Sequence, residues 1–168
     1  IFAWMIPARW SSKGSVQRGE EFVCTFLDVG HGSSVLLQLP DGKNVLYDSG
    51  SLGSPDYGAR SIAGALWYEG IEHVDAVVIS HADVDHFNAL PQLVRQFSID
   101  QVFVSFVMLK DQSSQVQELL AVLEKRGVEV VAVSIGDQPF SSSKIRFDIL
   151  NPPREGIRGN DNANSIVW

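Results

Sequence analysis

Apolar residues recur along this chain in several rhythms, and each rhythm predicts a different element. Phe22-Val23-Cys24-Thr25-Phe26-Leu27 is a β-prone run that stops at Asp28-Val29-Gly30-His31-Gly32. Ser34 to Leu39 and Asn44 to Tyr47 flank the turn Pro40-Asp41-Gly42, so they predict a hairpin and, with the first run, a β-meander. The stretch 58–69, with Ile62 and Leu66, reads as a helix closed by Gly70. Val74-Asp75-Ala76-Val77-Val78-Ile79 predicts a buried strand, followed by a helix near 90–97 and a strand at Val102-Phe103-Val104. Val116, Leu119, Leu120 and Leu123 repeat at helical spacing up to Lys125-Arg126-Gly127, a core stripe with cations at its C-terminal end. Strands are expected at Val128 to Val133, at Lys144 to Leu150 where Ile145, Phe147 and Ile149 alternate, and at Ser165 to Trp168. Strands that first pair as hairpins and then alternate with helices imply a mixed sheet, or two sheets with helices outside.

Composition narrows this picture without redirecting it. A chain of 168 residues with 45% apolar content suits one domain with a sizeable core. The net charge of −7 disfavours a broad electrostatic surface for polyanions, and no basic nucleic-acid groove is evident. Arg9, Lys13 and Arg18 read as part of a solvated linker. Cys24 is the single cysteine, so no internal disulfide can form, and its place in an apolar run predicts a packed thiol. No run reaches the ~20 apolar residues that cross a bilayer. Residues 1–20 are expected to be an N-terminal linker, its apolar start Ile1 to Ile6 being either a free segment or the end of a transmembrane helix.

The chemistry concentrates in Ser80-His81-Ala82-Asp83-Val84-Asp85-His86, directly after the 74–79 strand. Two imidazoles and two carboxylates in six positions are hard to explain as packing, whereas around a divalent cation they become ligands. Residues two apart lean the same way, so His81 with Asp83 can grip one ion, and Asp85 with His86 a second. A paired-metal clamp makes water acidic enough to act as a nucleophile near neutral pH. The competing reading, an acidic loop capping the next helix with Asp85 at its start, explains one acid and not the set. Asp48 ends a strand before Ser49-Gly50, where it can hydrogen-bond a metal-ligating histidine from behind or simply form a turn. Asp28 and His31 are further supporting candidates, because Gly30 and Gly32 suggest a tight turn with backbone close to something; an exposed loop histidine is the alternative. His73 reads as a surface residue.

Three stretches together resemble a known family. Phe26-Leu27-Asp28-Val29-Gly30-His31-Gly32, Asn44-Val45-Leu46-Tyr47-Asp48-Ser49-Gly50 and Ile79-Ser80-His81-Ala82-Asp83-Val84-Asp85-His86 resemble, in that order, the metallo-β-lactamase fold. They look most like the C-terminal hydrolase domain of ComEC-type DNA-internalisation competence proteins, as do Ile149-Leu150-Asn151-Pro152-Pro153 and Asn162-Ala163-Asn164-Ser165-Ile166-Val167. The resemblance implies an α+β, αββα sandwich over residues 21–168, incomplete at its C-terminus, with two divalent metal ions at one edge. It implies that His81 and Asp83 bind the first metal, Asp85 and His86 the second, and that Asp85 is catalytic. Asp83 stands where most of the superfamily has histidine, so Mn²⁺ competes better with Zn²⁺.

The resemblance further implies phosphodiester hydrolysis of DNA, with DNA and the membrane region of the same protein as partners, at the outer face of a bacterial cell membrane. The pattern departs from the family at His31, Ser33, Asn151 and Phe87-Asn88-Ala89. The family's later Asp and His loops would fall beyond Trp168, and without them each ion lacks ligands, so residues 1–168 need not be active by themselves. Two readings stay open beside this one: a soluble metallo-β-lactamase-fold hydrolase of a small ester, thioester, lactam or phosphodiester, and a degenerate domain without catalysis.

Overall fold

The structure is a computed structural model that describes residues 21–159 and 161–168. The linker expected over 1–20 lies outside the described residues.

Among the described residues six strands form one sheet in sequence order: β1 (Val23–Phe26), β2 (Val35–Gln38), β3 (Asn44–Tyr47), β4 (His73–Val78), β5 (Ser98–Ser105) and β6 (Glu129–Val133). β1 to β3 are the antiparallel meander that the Pro40-Asp41-Gly42 turn predicts; β3 to β6 run parallel. Parallel neighbours need crossovers, and these carry the helices α1 (Pro55–Tyr68), α2 (Leu90–Leu93), α3 (Phe106–Leu109) and α4 (Ser114–Arg126). Ser54 caps α1 by accepting from the Tyr57 amide, Pro55 starts it, and Gly127 ends α4 in the left-handed conformation at φ 69°.

The sheet is covered on two faces. Ile62, Leu66, Leu90, Leu93, Leu119 and Leu123 from the helices pack with Leu36, Leu46, Val77 and Val102 on one face. Leu37, Val45, Val78 and Phe103 on the other pack with Phe140, Phe147, Ile149 and Ile166. Two-sided burial explains why the 74–79 segment is a continuous apolar run rather than an alternating one. Among the described residues no helix is long and apolar enough to cross a membrane.

Several expectations need correction. Residues 144–150 bury Ile145 in part and Phe147 and Ile149 fully, so the alternation is real. Their backbone nevertheless bonds to separate places, Ile149 N–H to the Asp137 carbonyl and Leu150 N–H to that of Val167, and forms no continuous ladder. Residues 165–168 likewise contribute one isolated bridge, Asn151 with Val167. The helix expected near 90–97 stops at Leu93 and continues as turns, since β5 begins at Ser98. Helix α3 was not foreseen. Cys24 is exposed rather than packed, because among the described residues β1 is an edge strand whose four residues are all exposed, Phe26 at 81%.

Candidate metal centre

The site grows from the register of two parallel strands. Tyr47 lies opposite Val78, so the residues that follow, Asp48 and the Ile79-Ser80 pair, leave the sheet side by side. These are the C-terminal ends of parallel strands, where open α/β sheets present their ligand crevices. Asp48 holds φ at 60°, a left-handed value that Asp tolerates better than most residues, and its amide donates to the Val78 carbonyl at 2.7 Å. That bend turns its carboxylate onto the next loop. Oδ1 accepts from the Ser80 amide (2.7 Å); Oδ2 accepts from the Ser80 hydroxyl (3.0 Å) and from His86 Nδ1 (2.7 Å).

A 3-10 turn over Val84–His86 folds the loop back so that His86 reaches Asp48, with its amide donating to the Asp83 carbonyl. Neither Asp83 nor Ala89, the residues that open this turn and α2, makes a side-chain cap, and Asp85 sits inside the 3-10 turn. The helix-capping account of the loop therefore has no counterpart. Gly32 and Gly50 let three backbones meet: Ser33 N–H donates to the Asp85 carbonyl, Gly50 N–H to the Ser33 carbonyl, and Ser49 N–H to the His86 carbonyl. A Cβ on Gly50 would stand 2.3 Å from the Asp85 carbonyl carbon, and one on Gly32 2.3 Å from the Gly50 oxygen. Asn88 ties the same corner together, accepting from the Ser51 amide and donating to its carbonyl.

The four predicted ligands meet in pairs. His81, 4% exposed, places Nε2 3.1 Å from Asp83 Oδ2; His86 places Nε2 3.8 Å from Asp85 Oδ2. The two rings lie 4.1 Å apart between centroids. Both Nδ1 atoms are occupied behind the rings, His86 by Asp48 and His81 by Ser80 Oγ at 2.9 Å and Ser165 Oγ at 3.3 Å. Burial lowers the pKa of His86, but the hydrogen bond to Asp48 and the charges of Asp48, Asp85 and Asp83 outweigh it, so the net shift is upward.

Asp28 and His31 do not join this group. Asp28 is exposed and its Oδ1 accepts from the Gly30 amide two residues on, a local turn. His31 is exposed as well and contributes only backbone, its carbonyl accepting from Leu52 N–H. The tight turn predicted from Gly30 and Gly32 does bring backbone close to the site, but it is Gly32 and Ser33 that arrive, not the His31 ring. Three residues escaped the sequence reading. Ser80 lies within the motif but had no assigned part, Asn88 follows it, and Ser165 is 84 positions from His81 with no local signal.

This donor set fits a divalent cation. His81 Nε2 and Asp83 Oδ2 at 3.1 Å make a hydrogen bond when Nε2 carries a proton, and the same separation suits a cation in the proton's place, since two ligands side by side on an ion with bonds of about 2.1 Å are roughly 3.0–3.4 Å apart. Holding Nδ1 from behind leaves Nε2 for the ion, the usual outer arrangement of metal-bound histidine. A second grouping, His73, Asp75 and Asp100, brings one donor atom each within 4.8 Å of the others, at the opposite end of β4. A cleft of about 540 Å³ opens at that same end, lined by Thr25, Gln38, Asn44, Ile71 and His73.

Comparison with known proteins shows what this chain is similar to. Residues 27–105 match the Metallo-beta-lactamase superfamily. ComE operon protein 3 of Bacillus subtilis is 22% identical over 181 residues, an alignment that covers the whole of this chain and 22% of that protein. The chain thus spans about a fifth of that relative's length. Among solved structures, the metallo-beta-lactamase fold protein YhfI of Bacillus subtilis is similar at 19% identity and a TM-score of 0.48, over 71% of this chain and 45% of the other. A diphosphatase from the PhnP family is similar at 22% identity and a TM-score of 0.42, over 71% and 42%. The likeness to the metallo-β-lactamase superfamily thus rests on residues 27–105, the stretch that holds Asp48 and the 80–86 loop; members of that superfamily are metal-dependent hydrolases that bind divalent ions, often two.

Proposed function

We propose that this chain forms the metal-dependent hydrolase domain of a membrane-anchored DNA-uptake protein, and that its reaction is hydrolysis of DNA phosphodiesters. The observation that carries the metal reading is the pair of imidazoles held at Nδ1 with each Nε2 turned to a carboxylate. The DNA reading is supported by the likeness of the Phe26–Gly32, Asn44–Gly50 and Ile79–His86 stretches to ComEC-type domains, and by the low-identity match to ComE operon protein 3.

His81 and Asp83 would hold one divalent ion, Asp85 and His86 the second. When bound, Zn²⁺ or Mn²⁺ supplies Lewis-acid stabilisation of phosphoryl oxygens and lowers the pKa of water. The chain's own residues do the rest. Asp48 and Ser80 keep both rings turned so that Nε2 carries the lone pair. Asp85, 22% exposed, orients the attacking water and takes its proton. With a net charge of −7 the chain has little to offer the substrate backbone electrostatically, so phosphate binding would fall to ions held by His81, Asp83, Asp85 and His86. In this reading the domain faces outward from the membrane.

The test uses the purified full-length protein with fluorescent single- and double-stranded DNA, in Mn²⁺, Zn²⁺ or chelator. Cleavage that needs the metal and disappears in His86→Ala is the expected result. Metal-dependent hydrolysis of small esters or thioesters without DNA cleavage would overturn the DNA assignment. A full-length protein that takes up no ion would overturn the enzyme itself.

A further inference from the structure

We propose that Ser165, from the far end of the described chain, is a positioning residue that fixes the His81 imidazole for metal binding; the inference rests on the metal reading given above. Ser80 has one hydroxyl hydrogen, and the Asp48 carboxylate takes it at 3.0 Å. Towards His81 the Ser80 oxygen can therefore only accept, so the hydrogen lies on Nδ1. That Nδ1–H stands between two hydroxyl oxygens, Ser80 at 2.9 Å and Ser165 at 3.3 Å. Ser80 alone would hold the nitrogen from one side. Ser165 closes the other side and leaves the buried ring one orientation, with Nε2 towards Asp83.

Ser165 can perform this part because hydrogen bonds tie its segment to the 80–86 loop, to the end of β3 and to residues 151–157. Ile166 N–H donates to the Ser80 carbonyl at 2.7 Å, and the Tyr47 hydroxyl donates to the Ile166 carbonyl at 2.5 Å. Asn151 Nδ2 donates to the Ser165 carbonyl at 2.6 Å and to that of Ala163 at 3.1 Å. The buried Asn164 accepts from the Ile157 amide and donates to its carbonyl. Tyr47 directly precedes Asp48, so the strand that supplies the carboxylate behind His86 also anchors the segment behind His81. One corner of the sheet thereby sets both rings.

The experiment is titration of the metal-free full-length protein with Mn²⁺ alone, then Zn²⁺ alone, for wild type, Ser165→Ala and Ser165→Thr, with thermal melts of the metal-free forms. The expected result is a loss of about tenfold or more in the affinity of one of two bound ions in Ser165→Ala. The other ion is unaffected, Thr restores the loss through its hydroxyl, and the metal-free melts coincide. Unchanged affinities in Ser165→Ala with two ions bound to wild type would overturn the proposal and leave the metal reading intact. Equal losses in Ala and Thr, or a metal-free melt that falls with the affinity, would make the role one of packing and overturn it too. Wild type that binds no ion overturns the metal reading, and this proposal with it.

Discussion

At the C-terminal end of β4, His81 is 4% exposed, with hydroxyl oxygens holding its Nδ1 while Nε2 faces the Asp83 carboxylate. At the N-terminal end of the same strand, His73 is 48% exposed and faces Asp100, itself 56% exposed, at 3.2 Å. Both ends offer imidazole and carboxylate in close array, and by donor spacing alone the second is the tighter cluster. What separates them is support. Asp75 at the second end has its Oδ2 engaged by the Asn44 amide, so it serves the start of β3. Asp48 at the first end spends its acceptors on the loop that carries the histidines. Donors gathered in solvent can relax towards water, whereas a buried His81 ring and a half-buried His86 ring, each with one nitrogen already committed, keep the other ready. The proposed metal centre is therefore assigned by the hydrogen bonds behind its donors rather than by donor spacing, which favours the other end.

The largest effect that could break this contrast comes from ligand removal. His81→Ala or His86→Ala is expected to abolish binding of at least one ion and to lower hydrolysis by about 10³-fold, while His73→Ala and Asp100→Ala stay within about twofold of wild type. Metal content by elemental analysis beside turnover decides it; equal losses at both ends would erase the distinction. Asp48→Asn comes next, with metal affinity falling about 10–100-fold, read by chelator competition. The same substitution disturbs a buried acceptor of three hydrogen bonds and should cost about 1–3 kcal/mol in denaturant unfolding.

Gly50→Ala should cost about 1–3 kcal/mol, since its Cβ would collide with the Asp85–His86 backbone and neither side can give way cheaply. Weaker metal binding should accompany it, because the displaced backbone carries two of the proposed ligands. A smaller effect concerns pH in the metal-free protein. The folded-state pKa of His86 lies above the unfolded value of about 6.5, so its stabilising share is complete below that value and is lost as pH rises through the raised one. Melts in chelator should show His86→Gln losing most, relative to wild type, at the acid side and least above the raised pKa. Metal must displace the same proton, so affinity should climb as pH rises through that window. The smallest expected change is in Asp100→Ala, whose exposed pairing with His73 is worth at most about 1 kcal/mol in the same unfolding measurement.

Much of the fold was readable because its signals are local. The Pro40-Asp41-Gly42 turn, the stripe Val116, Leu119 and Leu123, the closing Gly127 and the apolar run before Ser80 each act within a few residues, and each element stands where its pattern puts it. Misreadings came where partners are distant. Alternation over 144–150 reports burial of Phe147 and Ile149, but a ladder also needs a neighbour of matching length, which the pattern cannot specify. Cys24 has apolar neighbours in sequence, yet its strand lies at the sheet edge. Asp28 and His31 were drawn towards the site by flanking glycines whose close approach is made by backbone instead.

The candidate ligands could be named from one heptapeptide because spacing of one or two residues constrains side chains directly. Their readiness could not be named in that way. It depends on Tyr47 lying opposite Val78, which carries Asp48 to Ser80, and on Ile166 bonding to the Ser80 carbonyl, which carries Ser165 to His81. Which donors are present is a covalent fact of the chain. Which nitrogen of each ring is left for a cation is a tertiary one, because the hydrogen bonds that choose it span 38 positions for Asp48 and 84 for Ser165.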